Sequence, residues 1–150
     1  MGAPDVAAHQ AKVSHSYWVS YPAHPARAND PHYVDFEHIR RTWKADPEKW
    51  RCAVGAHRND FSECDTAHPL ELHHSHVEFS LQNGVDLKWL EPDYPGISDP
   101  TQVGAWVESA DNLEVLCVFH HRGPGGAHTA TASDFAAEAY VRGLIGGSPS

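Results

Sequence analysis

Residues 70–80 read LELHHSHVEFS and residues 116–128 read LCVFHHRGPGGAH. The first stretch alternates in the manner of a strand. Leu70, Leu72, His74, His76 and Glu78 fall on one side, and Glu71, His73, Ser75, Val77 and Phe79 on the other. The second follows LEVL, a short apolar run that predicts another strand over LEVLCVF, and then breaks at Arg-Gly-Pro-Gly-Gly. Two strands loaded with imidazoles, set among helical segments, predict an α+β fold organised around metal.

The cysteines support that reading. Cys52 and His57 are separated by four residues and Cys117 and His120 by two, so each pair can reach one ion. Together they give a Cys2His2 shell of the kind that closes around structural zinc, an ion that contributes on the order of 10–16 kcal/mol to folding in small zinc peptides. Cys64 lies outside the pattern, either as a replacement for His57 or as a buried thiol. Adjacent strand residues point to opposite faces, so His73 and His74 divide their labour: one holds a second ion while the other stands beside it as a base. His121, next to the zinc ligand His120, reaches the same second ion, and His128 is a further nitrogen donor nearby.

Composition bounds the rest. A chain of 150 residues is one domain with a modest core, and Trp18, Trp43, Trp50, Trp89 and Trp106 are its bulky candidates. Three cysteines, an odd number, make no disulfide framework and point to a reducing compartment. With no signal-peptide pattern and no membrane-length apolar run, the expectation is a cytoplasmic protein. Thirteen histidines are the outlier; scattered ones such as His9, His15, His24 and His32 read as surface residues. The formal charge of −9 is unevenly spread. Residues 40–58 carry six basic groups against two acids, while residues 60–114 carry twelve acids against Lys88 alone. A phosphate backbone would approach the first stretch and avoid much of the second.

Along the chain, residues 1–29 form an arm with one short strand at SYWVSY. Asp30-Pro31 starts a helix over residues 30–45, whose apolar stripe is Tyr33, Phe36, Ile39 and Trp43. The metal-bearing core spans about residues 50–130, with a long connection over 80–111 that holds a short helix near 85–90 and the loop EPDYPGISDP. A last helix covers about 133–144, with Phe135, Ala136, Ala139, Tyr140 and Leu144 inward. Residues 30–150 are thus one domain.

His73-His74 in a strand, then Asp111-Asn112-Leu113, then Leu116-Cys117-Val118-Phe119-His120-His121 resemble the HNH endonuclease family, in its zinc-containing phage and actinobacterial form. The resemblance covers about residues 50–130. It implies a ββα-metal core with structural zinc knuckles at Cys52/His57 and Cys117/His120. It also implies metal-dependent hydrolysis of DNA phosphodiesters in a bacterial or phage-infected cell, with DNA and phage packaging proteins as partners. By that resemblance His73 and His121 are ligands of a catalytic ion, Mg²⁺ or another divalent metal, with His128 as a third. His74 is the general base, and Asn112 braces the loop between the strands. Arg122 is placed to clamp a phosphate, and Arg40, Arg41 and Lys44 to contact the DNA backbone. The chain departs from the family at Gly125, where a further ligand is usual, and at His57, where cysteine is more frequent. The alternative is a catalytically inactive zinc-stapled module of the same fold that binds a protein partner. A third reading takes His74, His76 and Glu78 as one H-x-H-x-E metal face of a cupin-like barrel.

Overall fold

The two imidazole-bearing stretches pair with each other. In the computed structural model, which describes residues 2–147, β1 (Glu71–His74) and β2 (Leu113–Leu116) form an antiparallel two-stranded sheet. The register sets Glu71 opposite Leu116 and His73 opposite Glu114, with Leu72–Val115 and His74–Leu113 alternating between them. Met1 and residues 148–150, the outer ends of the expected arm and domain, lie outside the described residues. The fold is a small mixed α+β arrangement in which helices surround this one sheet. A barrel is not formed among the described residues, which removes the H-x-H-x-E reading.

Both strands are shorter than the alternation predicts, and one side chain explains β1. Asn112, fully buried, accepts the backbone N–H groups of His76 and Val77 on its Oδ1 at 3.0 and 2.9 Å. Its Nδ2 donates to the carbonyls of Val77 and Val107 at 2.8 and 2.9 Å. Peptide groups that would have extended the ladder are satisfied by this amide instead, and the chain turns away after His74. β2 stops at Leu116 because Cys117 caps α5 (Val118–His121), its sulfur accepting from the His120 N–H.

The N-terminal helix α1 spans Tyr33–Lys44, starting later than Asp30-Pro31 suggests. Asp30 is buried and anchors a turn, accepting from His32 N–H at 2.7 Å and from Gln82 Nε2 at 3.0 Å. The apolar stripe of α1 does face the protein, with Phe36 its buried residue. A short α2 (Ala53–Arg58) follows and ends on Asn59 in the left-handed conformation, φ 51°.

The long connection is built around a core of its own. The short helix α3 (Leu87–Leu90) lies where expected, but α4 (Pro100–Val107) was hidden in what reads as loop. Asp99 and Gln102 form a reciprocal capping box with Pro100 at the first helical position. Val103, Trp106 and Val107 of α4 then collect Val77, Val85, Leu87, Leu90, Tyr94 and Ile97. A second cluster, Cys52, Val54, Leu116 and Cys117 with Leu70, Phe119, Ala127 and Phe135, joins α2 to the end of β2.

Other expectations are corrected. The last helix, α6, covers only Ala132–Ala137, and Tyr140 and Leu144 are exposed. Beyond it the chain is drawn into turns by Glu63, which accepts from Gly143 N–H, and by an Arg142–Asp60 pair at 2.9 Å. SYWVSY forms no strand: Tyr17, Trp18 and Tyr21 are exposed and pair with neither edge of the sheet. Trp106 is a core residue, but Trp18 and Trp89 are not. No helix among the described residues is long and apolar enough to cross a membrane.

Candidate metal centres

Four side chains from three segments meet at one end of the sheet: Cys52 before α2, Cys64 in the turn after it, Cys117 at the end of β2, and His120 in α5. The Sγ atoms of Cys52, Cys64 and Cys117 lie 3.7, 3.8 and 3.2 Å from His120 Nδ1. A tetrahedron with Zn–S near 2.3 Å and Zn–N near 2.0–2.1 Å has S···N edges of about 3.6 Å. The donors are soft and all but Cys64 are buried, so the cluster could hold a metal ion such as zinc. Its titration fits the same reading. A hydrogen bond from the Cys117 side chain holds the Cys52 thiol below its usual range. Burial pushes Cys64 up to about 11, and the hydrogen bond with Cys52 together with burial pushes Cys117 up to about 11. Three packed thiols cannot all ionise without a cation between them. On the far side of the ring, His120 Nε2 faces the buried Glu138 at 3.8 Å, a carboxylate whose Oε2 has no partner and whose pKa burial raises to about 7.

The ligand set therefore differs from the expected Cys2His2 set at one position. His57 is exposed, its ring set edge-on against Tyr140, and Cys64 stands in its place. The cause is local. α2 carries His57 on its outer face, whereas the left-handed Asn59 reverses the chain and returns Cys64 to the cluster. Gly55 permits that return: a Cβ there would collide with the Phe61 ring and sit 3.1 Å from Cys64 Sγ.

The second group, His73, His121 and His128, lies beside the same sheet. The ring of His73 is 4.9 Å from each of the other two, and the Nε2 atoms of His121 and His128 are 3.1 Å apart. Nitrogen donors at about 2.05 Å on a tetrahedral ion would be about 3.3 Å apart. His73 is buried and its Nδ1 has no hydrogen-bond partner, a cost that a bound cation would remove. Burial, followed by the nearby His121 and His128, lowers its pKa to about 3, which keeps the ring in the neutral, ligating form. His121 Nδ1 lies 3.0 Å from Glu71 Oε1, the carboxylate support typical of metal-ligating histidines. His128 does come from a loop. The Ala127 and His128 N–H groups bond the His120 and His121 carbonyls at 2.9 and 3.0 Å, and Gly126 allows the backbone crossing, since a Cβ there would strike His121.

His74 points to the opposite face from His73, as alternation requires. It is buried and stacked on Phe36 with ring centroids 5.5 Å apart, and its Nε2 lies 2.7 Å from Glu108 Oε1. Its Nδ1 lies 3.7 Å from Glu78 Oε2, and the other oxygen of Glu78 lies 3.4 Å from His128 Nε2. One carboxylate thus spans His74 and the three-histidine group. His76 turns away, 3.3 Å from the Tyr94 hydroxyl. Arg122 is already engaged, its Nε and Nη2 on Glu71 at 3.1 and 2.9 Å, so it is not the free phosphate clamp that the sequence suggests. Arg40, Arg41 and Lys44 are exposed on α1, with Arg40 3.7 Å from Glu37.

Glu71 and Glu108 are not marked as site residues by the sequence, and Glu78 enters there only through the H-x-H-x-E face of the barrel reading. Glu71 had a signal, two residues before His73 on the same strand face; Glu108, thirty-four residues from His74, had none. Comparison with protein-family models, with curated proteins and with solved structures finds no match to this chain.

Proposed function

We propose that the protein is a metal-dependent endonuclease of the HNH type, with a ββα-metal core formed by β1, β2 and α5. The observation that carries this reading is the convergence of His73, His121 and His128 beside one short antiparallel sheet, with His74 adjacent and a Cys3His cluster at the sheet's end. Histidine and cysteine donors are thus sorted into two groups, one soft and closed, the other imidazole-only and partly open. The order of functional residues in the sequence resembles the same family.

In this reading His73, His121 and His128 hold a divalent ion, which supplies charge neutralisation for the phosphate and for the departing 3′-oxygen. His74 takes the proton of the attacking water. Glu71 orients His121, and Asn112 fixes the turn that carries the chain from His74 to Glu78. Phosphate contacts fall to Arg40, Arg41 and Lys44. Lys49 and Arg51, which line an open groove of about 340 Å³ that also includes Glu114 opposite His73, are placed to extend them. Products would carry 5′-phosphate and 3′-hydroxyl ends.

The test is cleavage of supercoiled plasmid by zinc-loaded protein with Mg²⁺, Mn²⁺ or Ni²⁺. Wild type should nick, and His74→Ala should not, with unchanged zinc content and circular dichroism. Undiminished nicking by His74→Ala, or none by wild type with any of the three ions, overturns the proposal. One observation favours the zinc-stapled binding module instead: Glu71 already neutralises the arginine nearest the imidazole group. Metal titration separates the readings. The nuclease takes a second, exchangeable ion, and the module takes only the tight one.

A further inference from the structure

We infer that Glu108, braced by Arg27, is the positioning residue that fixes the ring tautomer of His74, with the hydrogen on Nε2 and the bare Nδ1 on the side of Glu78. The inference rests on the proposed role of His74 as base and extends it to two residues distant in sequence.

Glu108 follows α4 directly and is 1% exposed. A carboxylate buried to that degree needs partners for both oxygens. Oε1 lies 2.7 Å from His74 Nε2 and Oε2 lies 3.2 Å from Arg27 Nη2. Arg27 is itself held by aromatics: its guanidinium carbon is 4.1 Å from the centre of Phe36 and 5.1 Å from that of Tyr33. Phe36 is the ring on which His74 stacks. Two segments far apart in the chain, residues 27–36 and Glu108, therefore lock one imidazole.

The chemistry follows from the acceptor. A carboxylate can only accept, so the nitrogen facing Glu108 carries the hydrogen. A neutral imidazole has one such hydrogen, which leaves Nδ1 with its lone pair. That atom faces Glu78, at 3.7 Å, and Glu78 continues to His128 at 3.4 Å. Nδ1 is thus linked to the three-histidine group only through the Glu78 carboxylate. A carboxylate on the far nitrogen also stabilises the imidazolium that forms when the near nitrogen takes a proton. The N-terminal segment, which reads as an arm, contributes through Arg27 to the interior of the site.

The experiment is ¹H–¹⁵N correlation of the histidine ring nitrogens in zinc-loaded, full-length protein, with His74 assigned by its loss in His74→Ala. Expected is a proton on Nε2 and a pyridine-like Nδ1 in wild type, and a mixture of both tautomers in Glu108→Gln. If the protein cleaves DNA, Glu108→Gln should lower kcat about 10–100-fold at unchanged KM, and Glu108→Asp should recover part of the loss. A wild-type ring with the proton on Nδ1, or protonated at both nitrogens, overturns the inference without any variant. So does an unaltered tautomer in folded Glu108→Gln. The predicted tautomer in a protein that cleaves nothing would support this assignment and sink the nuclease reading alone.

Discussion

Replacing Cys64 with alanine tests the Cys3His cluster as a zinc shell at the position where the structure departs from the Cys2His2 expectation. Structural zinc contributes roughly 10–16 kcal/mol in small zinc domains, so an even share per ligand is roughly 2.5–4 kcal/mol. That corresponds to a loss of about 10²–10³ in zinc affinity. The structure gives reason to expect the full share. Cys64 Sγ stands 3.8 Å from His120 Nδ1, its segment packs through Phe61 over Gly55, and among the described residues no fifth donor joins the cluster. His57, set against Tyr140, does not. The assay is competition for zinc against a chromophoric chelator, with metal content measured after gel filtration. Cys64→Ala should lose zinc to the chelator at concentrations that leave wild type loaded, whereas His57→Ala should titrate as wild type does. The result that refutes the reasoning is the converse pair: wild-type retention by Cys64→Ala, or zinc loss from His57→Ala.

Asn112→Ala removes four hydrogen bonds made by a fully buried amide, so we expect about 3–5 kcal/mol of destabilisation and a melting temperature lower by roughly 10 °C, read by calorimetry. His121→Ala should abolish uptake of the second, weaker ion in isothermal titration while leaving zinc content unchanged; loss of zinc would show that the two groups are not independent. Neutralising Arg40, Arg41 and Lys44 together should flatten the salt dependence of DNA binding by about 0.9 per lost phosphate contact, and an unchanged slope would move the contact surface elsewhere.

What the sequence made legible was donor chemistry at short range. Cys117 and His120 sit three apart and share a turn of α5, so their meeting follows from spacing alone. The same logic misplaced His57, because spacing says two residues can reach one point but not that the chain between them delivers both. That decision belongs to Asn59 and Gly55, one turning the chain and the other admitting it, and neither looks like part of a metal site. The strands failed at their ends for a related reason. Alternation continues through Ser75 and Val77, yet a strand persists only while a partner answers its peptide groups, and Asn112 answers them first. α4 is a different kind of miss: Asp99, Pro100 and Gln102 are a complete start signal.

The acidic stretch gains a different meaning once its partners are known. As a run of twelve acids over residues 60–114 it argues against DNA, since a uniform negative face repels phosphate. Eight of them, however, are committed within the fold. Asp60 and Glu63 tie down the C-terminal turns, and Asp65, Asp86 and Asp99 cap backbone N–H groups. Glu71, Glu78 and Glu108 each face a histidine of the two-sided site. Glu71 faces His121 Nδ1, Glu78 lies between His74 Nδ1 and His128 Nε2, and Glu108 faces His74 Nε2. On the proposed reading, a carboxylate that orients a ligand or a base would be screened from an approaching phosphate by the ion or imidazole in front of it. On that reading, the charge that argues against a nuclease in the sequence is, in its central part, the scaffolding of the histidine cluster.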